Sequence, residues 1–264
     1  MTILDKIADY ARERVEREKT VISLEQMRET ACMLRASDGE AFYEVIRKPG
    51  ISFICEVKKA SPSKGLIDPV FDYKRIAREY EEAGAEAISC LTEPKWFLGS
   101  DEIFREIRGE VKTPILRKDF IIDEYQIYQA KVMGADCVLL IAALLDPDTM
   151  RKFLEICEKL GLAVLAEAHD EREIAISASA GARMIGVNNR NLKDFSVNLE
   201  NAVRLREQIP PSCLYVAESG VKTPEDAAAL KNAGADAILM GEVLMRSENK
   251  KALIMKLRNA CEAG

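Results

Sequence analysis

Four copies of a short glycine-alanine phrase divide this chain at nearly even intervals. Their glycines are Gly84, Gly134, Gly181 and Gly234, so the copies recur at intervals of 50, 47 and 53 residues. Each copy is followed at once by an apolar run: AISCL, CVLLI, MIGV or AILM. Glycine readily takes the left-handed conformation that ends a helix, and a run that is apolar on both faces is typical of a buried parallel strand. Each phrase therefore predicts the end of a helix and the start of a strand.

A second set of short β-prone runs is interleaved with the first. Their sequences are SFICEVK, PILRKD, AVLAEA and LYVAES, at residues 52–58, 114–119, 163–168 and 214–219. The segments between strands carry helix-start signals such as Asp146-Pro147. Eight strands that alternate with helices, at about 25 residues per unit, predict the α/β class and a (β/α)8 TIM barrel. A doubly wound parallel sheet is the alternative, but no GxGxxG motif follows the first strand.

The first 48 residues precede the first strand and are predicted to form a helical extension. Ile3, Ile7, Ala11 and Val15 belong to an apolar stripe at helical spacing. A barrel does not need such an extension in order to close, so we expect residues 1–48 to cover one barrel mouth. The whole chain, 1–264, is then predicted to be a single barrel domain.

The composition excludes several classes of partner and site. The 44 acidic and 38 basic side chains give a formal net charge of -6, which argues against a nucleic-acid or membrane partner. The chain begins without the pattern of a signal peptide, and its apolar stretches are too short to cross a bilayer, so we expect a soluble, cytoplasmic protein. The seven cysteines include no CxxC pair and His169 is the single histidine, so no metal site is expected.

Charged and polar side chains collect where the predicted strands end. In a parallel barrel the loops at the carboxyl ends of the strands build the active site, and period-two alternation places Glu56 and Lys58 on one strand face. If such faces point inward, carboxylates and cations converge on one mouth. The residues concerned are Glu56, Lys58, Lys118, Glu167, Asn188, Arg190, Glu218 and Ser219. A structural ion-pair network is the alternative, although a site that binds an anion and moves protons would better explain the cost of burying so many charges.

Two glycine-containing turns predict an anion site. Ser219-Gly220 follows the seventh strand and Gly241-Glu242 follows the eighth, and TIM barrels often bind phosphate between these two loops. The alternative is that both glycines only make turns. The polar loop that starts at Ser61 follows the first strand and could close over a bound ligand.

Seven blocks of the sequence resemble those of one known family. They are CEVKKASPSKG, LTEPKWFLGS, LRKDFIIDEYQIYQA, LAEAHDERE, IGVNNRNL, VAESGVKTPED and MGEVLMR, in order along nearly the whole chain. On these blocks the chain resembles indole-3-glycerol phosphate synthase, a carboxy-lyase of tryptophan biosynthesis. The resemblance implies closure of the indole ring of 1-(2-carboxyphenylamino)-1-deoxyribulose 5-phosphate with loss of CO2 and water. It implies general acid/base decarboxylation with no cofactor.

The resemblance also implies catalytic roles at the strand ends. Lys118 looks like the acid that protonates the ketone oxygen when the ring carbon attacks, and Glu167 like the carboxylate that exchanges a proton near the anilino nitrogen. Glu56 and Lys58 are placed to supply base and acid for the dehydration, and which lysine acts first stays open. The polar positioning residues of the catalytic set are Asn188 and Ser219.

Substrate binding is implied for a further set of residues. The apolar pocket for the anthranilate ring is matched by Phe97, Phe120, Leu139 and Leu192. The residues expected to orient charges or hold the phosphate end are Ser61, Arg190, Glu218, Gly220, Gly241 and Glu242. For each apolar residue taken singly, core packing is the competing interpretation.

Two other functions stay open at this point. A Schiff-base aldolase acting on a sugar phosphate would use Lys118 as its covalent nucleophile. A barrel retained only as a phosphate-binding subunit would bind the anion without turnover, although the intact set of charged residues argues against it. In each case the expected partner is a phosphorylated small molecule, and the expected assembly is a monomer or a weak homo-oligomer.

Overall fold

Eight parallel strands close into a barrel in the computed structural model, which describes residues 2–191 and 195–262. The strands are β1 (Ser52–Val57), β2 (Ala87–Leu91), β3 (Ile115–Lys118), β4 (Cys137–Ile141), β5 (Ala163–Ala168), β6 (Met184–Asn188), β7 (Leu214–Glu218) and β8 (Ala237–Met240). Each strand pairs with its neighbours along the chain, and β1 closes the ring by pairing with both β2 and β8. The predicted barrel is confirmed, and the doubly wound alternative is wrong because an open sheet would leave β1 and β8 unpaired with each other.

Helices alternate with the strands, and three precede the first strand. Their bounds are α1 (Ile3–Lys19), α2 (Leu24–Met33), α3 (Gly39–Arg47), α4 (Tyr73–Glu82), α5 (Asp101–Glu110), α6 (Glu124–Met133), α7 (Pro147–Leu160), α8 (Glu171–Ala180), α9 (Glu200–Leu205), α10 (Pro224–Asn232), α11 (Glu242–Met245) and α12 (Lys250–Glu262). A small antiparallel hairpin of Ala60–Ser61 and Gly65–Leu66 follows β1. None of the helices in the described ranges combines the length and apolar character that a membrane span requires.

The repeated glycines end helices as predicted. Gly134 and Gly181 are the C-caps of α6 and α8, with φ of 85° and 100°. Gly84 and Gly234 follow the C-caps of α4 and α10, with φ of 79° and 88°. Backbone at these angles is strained for residues that carry a Cβ, so glycine allows the chain to leave each helix and enter the next strand in a tight turn.

Inward-facing side chains fill the barrel in the period-two pattern of its strands. Ile54, Leu116, Leu139, Leu165 and Val216 are all buried in one apolar cluster inside the barrel. The alternate residues of the strands point outward and join a larger cluster with the helices. Two apolar layers therefore hold the strand ends in fixed positions, and these ends carry the polar side chains.

The extension divides between the two ends of the barrel. Helix α3 places Phe42, Tyr43 and Ile46 against the first inward residues of the strands, including Ala163 of β5. The Tyr43 hydroxyl also accepts a hydrogen bond of 2.9 Å from the backbone N–H of Val164. The extension was expected at one mouth only. Helix α3 instead plugs the amino-terminal end, because its strongly apolar face matches the apolar floor of the barrel.

Helix α1 lies at the opposite, carboxyl-terminal end. Arg14 Nη2 lies 2.7 Å from Asp119 Oδ2, and Lys19 Nζ lies 2.7 Å from Asp123 Oδ2, so two ion pairs join the helix to the segment after β3. Three apolar side chains near the start of α1 border the pocket described below: Ile3, Leu4 and Ile7. Helix α1 therefore lies beside the pocket at the carboxyl-terminal end of the barrel.

Candidate active site

Polar side chains at the carboxyl ends of the strands surround a pocket of about 660 Å³. Glu56 lies two residues beyond Ile54, whose side chain points into the barrel. The same spacing from an inward-facing apolar side chain applies to Lys118 and Glu167. Because side chains alternate along a strand, all three face the barrel interior just above its apolar filling.

Two lysines and two glutamates form a continuous ion cluster at the floor of the pocket. Glu56 Oε1 lies 2.5 Å from Lys58 Nζ, and Glu56 Oε2 lies 3.1 Å from Lys118 Nζ. The same Lys118 nitrogen lies 3.3 Å from Glu218 Oε2. Lys118 therefore bridges carboxylates from β1, two strands away in the barrel, and from β7, which lies opposite its own strand.

Glu56 and Lys118 stay charged in this cluster although both side chains are largely buried. Burial favours the neutral form of Glu56, but the positive charges of Lys118 and Lys58 outweigh it and lower the pKa of Glu56 to about 2. Burial also opposes the charge of Lys118, yet Glu56, Glu218 and Glu167 raise the pKa of Lys118 well above its ordinary value. At neutral pH the floor of the pocket therefore contains an ammonium group that holds its proton.

Glu218 experiences the opposite environment. Burial, followed by the negative charge of Glu167, raises the pKa of Glu218 to about 8, although Lys118 acts against this shift. Its Oε1 atom accepts no hydrogen bond from the described residues. Gly186 makes room for it, since a Cβ at that glycine would lie 2.1 Å from Glu218 Oε1. The site thus contains one carboxyl group, Glu218, that favours its protonated form beside another, Glu56, that favours ionisation.

An apolar wall borders the charged floor. Phe97 and Phe120 contact each other with ring centroids 5.9 Å apart, and Leu139 lies deeper in the barrel. All three line the pocket together with residues of α1. A flat aromatic ring could pack here while its polar substituents reach the ion cluster.

The loops after β7 and β8 converge on the other side of the pocket. Ser219 and Gly220 both have left-handed backbone, with φ of 66° and 101°. Within residues 2–191 and 195–262, the backbone N–H groups of Gly220, Gly241 and Glu242 donate to no protein acceptor. Amides without a hydrogen-bond partner, at a turn and at a helix start, suit an anion.

Gly241 lies too close to the ion cluster to carry a side chain. A Cβ there would lie 2.6 Å from Glu56 Oε1 and 3.2 Å from Lys58 Nζ. The glycine therefore does more than make a turn, because any larger residue would displace the carboxylate and the lysine. A substitution at Gly241 would disturb the ion cluster as well as the anion site.

The structure brings nearly all of the predicted site residues together. Those that line the pocket are Glu56, Lys58, Ser61, Phe97, Lys118, Phe120, Leu139, Glu167, Asn188, Arg190, Ser219, Gly220, Gly241 and Glu242. Glu218 is fully buried beneath the pocket and contacts it through Lys118. Leu192 lies outside the described residues. The structure shows that the pocket-lining residues converge, whereas the catalytic and binding roles of single residues stay predictions.

Sequence reasoning missed four residues near the site. Lys64, Lys222 and Arg246 line the pocket as additional cations, from the loops after β1, β7 and β8. The fourth is His169, whose Nε2 atom lies 3.5 Å from Glu167 Oε1. The signal for Lys222 and Arg246 was their position in the loops that carried the predicted anion site, and Lys64 lies in the polar loop that could close over a bound ligand.

No group of three or more metal-ligating His, Cys, Asp or Glu side chains occurs in the part of the chain that the structure describes. The carboxylates of the pocket instead contact lysines or a histidine. The arrangement supplies an ammonium acid, carboxylates with contrasting proton affinities, an aromatic wall and an anion-binding turn. These groups together suit proton transfer on a phosphorylated substrate that contains an aromatic ring.

Comparison with known proteins identifies a sequence family. The family model described as indole-3-glycerol phosphate synthase matches residues 4–257. A protein of that name from Ruminiclostridium cellulolyticum is 50% identical over 258 residues, which cover 98% of this chain and 99% of the relative. A protein of the same name from Endomicrobium trichonymphae is 49% identical over 97% of this chain and 100% of its own length.

Solved structures of low sequence identity share the fold. Thiamine phosphate pyrophosphorylase from Pyrococcus furiosus aligns with a TM-score of 0.61 at 20% identity, over 83% of this chain and 98% of that one. The 3-hexulose-6-phosphate synthase from Salmonella typhimurium aligns with a TM-score of 0.66 at 11% identity, over 81% of this chain and 99% of that one. At these identities the likeness concerns the barrel alone.

Proposed function

The chain belongs to the indole-3-glycerol phosphate synthase family, and from that premise we propose which of its residues carry out the reaction. The enzyme is a decarboxylating lyase of tryptophan biosynthesis. It closes the indole ring of 1-(2-carboxyphenylamino)-1-deoxyribulose 5-phosphate with loss of CO2 and water. The geometry of the pocket supports the roles proposed below for single side chains.

Lys118 is the general acid of ring closure in this proposal. The ring carbon that bears the carboxylate attacks the ketone, and negative charge develops on the ketone oxygen. The Lys118 ammonium lies between Glu56 and Glu218 at the pocket floor, and this position is the observation that carries the proposal. A charged group held in place before the reaction stabilises the developing oxyanion and can protonate it.

Two carboxylates complete the proton chemistry. Glu167 lies on the pocket wall and exchanges a proton with the anilino side of the substrate. Glu56 and Lys58, in contact with each other, serve the dehydration that follows decarboxylation. Asn188 positions the substrate, and its carboxamide oxygen accepts the backbone N–H of Arg190 at 3.0 Å.

The phosphate of the substrate binds at the turns after β7 and β8. The supporting features are the unused amides of Gly220, Gly241 and Glu242, together with the nearby Arg190. Ser61 and Ser219 offer hydroxyl groups to the same region. The anthranilate ring then lies against Phe97 and its apolar neighbours, named above, which places the ketone over the ion cluster.

The aldolase alternative has no support from this geometry. A lysine that forms a Schiff base must lose its proton before it attacks a carbonyl group. The carboxylates around Lys118 raise its pKa, which favours the charged form. A lysine that keeps its proton at neutral pH is suited to act as a general acid.

The assembly and location of the enzyme are also proposals. The proposed assembly is a monomer or a weak homo-oligomer. A cytoplasmic location is supported by seven free cysteines, since secreted proteins commonly pair their cysteines in disulfides. We further propose that residues 1–48 and the barrel act as one unit, with α1 as part of the substrate pocket.

A pair of lysine variants tests the proposed acid. Lys118→Met keeps the length and apolar volume of the side chain but removes its proton, so we expect single-turnover ring closure to slow by about 10²- to 10⁴-fold. KM should change much less, because the phosphate and aromatic contacts remain. Lys58→Met is the matched control, and we expect it to slow dehydration rather than ring closure. If Lys118→Met closes the ring at the wild-type rate, Lys118 is not the acid and Lys58 becomes the candidate.

A further inference from the structure

The single histidine of the chain lies between the pocket and a surface helix. His169 follows β5, two residues beyond Glu167, so both side chains lie on the same side of the strand. Its Nδ1 atom lies 3.1 Å from Glu173 Oε2, and its backbone N–H donates to the same oxygen at 2.8 Å. Its Nε2 atom lies 3.5 Å from Glu167 Oε1. The three side chains therefore form a line from the pocket to α8.

These contacts determine where the protons of the ring lie. A carboxylate only accepts hydrogen bonds, so the contact with Glu173 places a proton on Nδ1. In the neutral ring, Nε2 then carries a lone pair that faces another acceptor, Glu167 Oε1. Nε2 is buried and has no hydrogen-bond partner among the described residues. The pair is stable only when a proton lies on one of the two facing atoms.

The stoichiometry of the reaction requires a proton from outside the substrate. The carboxylate group leaves as CO2 and the former ketone oxygen leaves as water. Counting atoms and charge, the ionised substrate plus one proton gives the indole product, CO2 and water. Each turnover therefore consumes one proton, which must reach the substrate in the pocket.

We infer that His169 stores this proton on Nε2 and delivers it to the substrate through Glu167. The inference rests on the proposed role of Glu167 as the carboxylate that exchanges a proton with the substrate. His169 itself acts through that carboxylate, and is a positioning and relay residue. Glu173 orients the ring and stabilises its charged form.

Each step moves only a proton. The Nε2–H bond breaks as Oε1–H forms, which leaves a neutral imidazole and a carboxylic acid at Glu167. The acid then gives its proton to the anilino side of the substrate and returns to carboxylate. The substrate has gained one proton in this way, and it loses its hydroxyl group as water in the dehydration that Glu56 and Lys58 serve. After product release, a proton from bulk solvent reaches Glu167 through pocket water, and Glu167 returns it to Nε2.

The charges around the ring support storage of a proton near neutral pH. Burial opposes the charged form, but the hydrogen bond to Glu173 and the negative charges of Glu167, Glu173 and Glu218 raise the pKa of His169 to about 8. These carboxylates lie on β5, α8 and β7. From α9, Asn201 Nδ2 donates to the backbone carbonyl of His169 at 3.4 Å, which helps to hold the residue in place. The imidazolium form is present below about pH 8 and is lost as the pH rises through that value.

Two substitutions at His169 distinguish a proton-relay role of the ring from a purely structural role. His169→Gln removes the titrating ring, so we expect kcat to fall about 10²-fold while KM changes less than about twofold. His169→Asn can still donate to Glu173 in place of Nδ1 but has no Nε2. A relay predicts that both variants are slow. Wild-type kcat in either variant would show that the ring only supports the loop, and the inference would be wrong.

A second pair of variants tests the pH dependence. In the wild type, kcat should decline as the pH rises through about 8. Glu173→Gln removes a negative charge beside the ring, so this decline should begin roughly one pH unit lower. Glu171→Gln changes the same charge on the same helix, at an exposed residue paired with Arg204, and should leave the profile unchanged. An equal profile in Glu173→Gln and wild type would assign the decline to another group, such as Glu218, and would overturn the inference.

The single histidine also permits a direct measurement on the wild-type enzyme. Nitrogen-15 NMR of the ring should give a pKa above 6.5, near 8, and the neutral ring should carry its proton on Nδ1. A pKa at or below 6.5, or a neutral ring protonated on Nε2, would exclude the proton store. Glu167→Gln distinguishes a failure of the proposed role of Glu167 from a failure of the relay through His169. If it keeps wild-type kcat, the proposed role of Glu167 fails; if it is slow while His169→Gln is fast, only the relay fails.

Discussion

The two ends of the barrel are closed by different parts of the same extension, with opposite chemistry. At the amino end, α3 packs Phe42 and Ile46, both fully buried, against the apolar floor. At the carboxyl end, α1 is joined to the barrel by ion pairs such as Arg14 with Asp119, and a pocket remains beside it. One end is filled, and the other is covered but open enough to hold a ligand.

The amino end of the barrel therefore contributes mainly to stability, and the carboxyl end contributes mainly to chemistry. Apolar packing at the amino end contributes free energy of folding without placing any reactive group there. The carboxyl end buries charges that an apolar core would not need, and one of them, Glu218, lies in a site that disfavours its ionised form. The comparison predicts that substitutions at the amino end change stability, whereas those at the carboxyl end change activity or its pH dependence.

The largest effect on stability is expected from the apolar plug. Phe42→Ala removes a fully buried ring and leaves a cavity, so the free energy of unfolding should fall by about 3–5 kcal/mol. Denaturant unfolding measures this loss, and kcat of the folded fraction should equal that of the wild type. Phe42→Leu is the control and should lose much less. A large loss of kcat in folded Phe42→Ala would show that the two ends are coupled.

Glu218 offers a test at the charged end through pH. Its folded-state pKa is raised to about 8, above that of an unfolded glutamate, so the folded protein binds the proton more tightly. The stabilisation is complete below the unfolded value and is lost as the pH rises towards 8. Glu218→Gln does not titrate at this position, so its melting temperature relative to that of the wild type should increase between about pH 4.5 and pH 8, the range in which the wild type loses this stabilisation. A constant difference across this range would contradict the assignment.

The attachment of α1 should have a smaller effect on stability and a measurable effect on binding. Arg14→Met breaks the contact with Asp119, which keeps hydrogen bonds from Thr92 and the Phe120 N–H. We expect a loss of about 1–2 kcal/mol and a several-fold rise in KM with little change in kcat. Arg12→Met, on the same helix, breaks only an exposed pair with Asp9 and should change neither. An unchanged KM in Arg14→Met would show that the attachment of α1 does not affect substrate binding.

The smallest expected effect concerns anion binding. Inorganic phosphate at ten times its Kd should stabilise the wild type by about 1.4 kcal/mol, seen as a higher melting temperature. Phe42→Ala should show the same increment, because its cavity lies at the other end. Arg190→Met should show less, since this cation lines the proposed phosphate region. An equal increment in Arg190→Met would remove Arg190 from the anion site.

Most of the fold could be predicted from local signals. The repeated glycines end helices, and the apolar runs that follow them are strands, because both depend on residues close together in the chain. The division of the extension could not be predicted in this way. A helical stripe shows that a face will be buried, but it does not say against which end of the barrel, as α3 illustrates.

The sequence predicted which residues belong to the candidate site, but not which of them contact each other. Period-two alternation identified Glu56 and Lys118 as inward residues at strand ends. That Lys118 spans from β3 to Glu218 on β7 could not be foreseen, because the distance depends on barrel closure and strand register. The need for glycine at position 186 arises from the same closure, since it makes space for a carboxylate from another strand.

The sequence by itself determined the alternation of strands and helices, the closed barrel that this alternation favours, and the set of charged residues at one mouth. These follow from side-chain patterns with periods of two and 3.6 residues, which act over short stretches of chain. Tertiary structure alone decided which charges meet, which carboxyl group keeps its proton, and how His169 comes to lie between Glu167 and Glu173. The physical reason is that pKa values and proton positions depend on distances and burial, and these are established only when remote segments pack together.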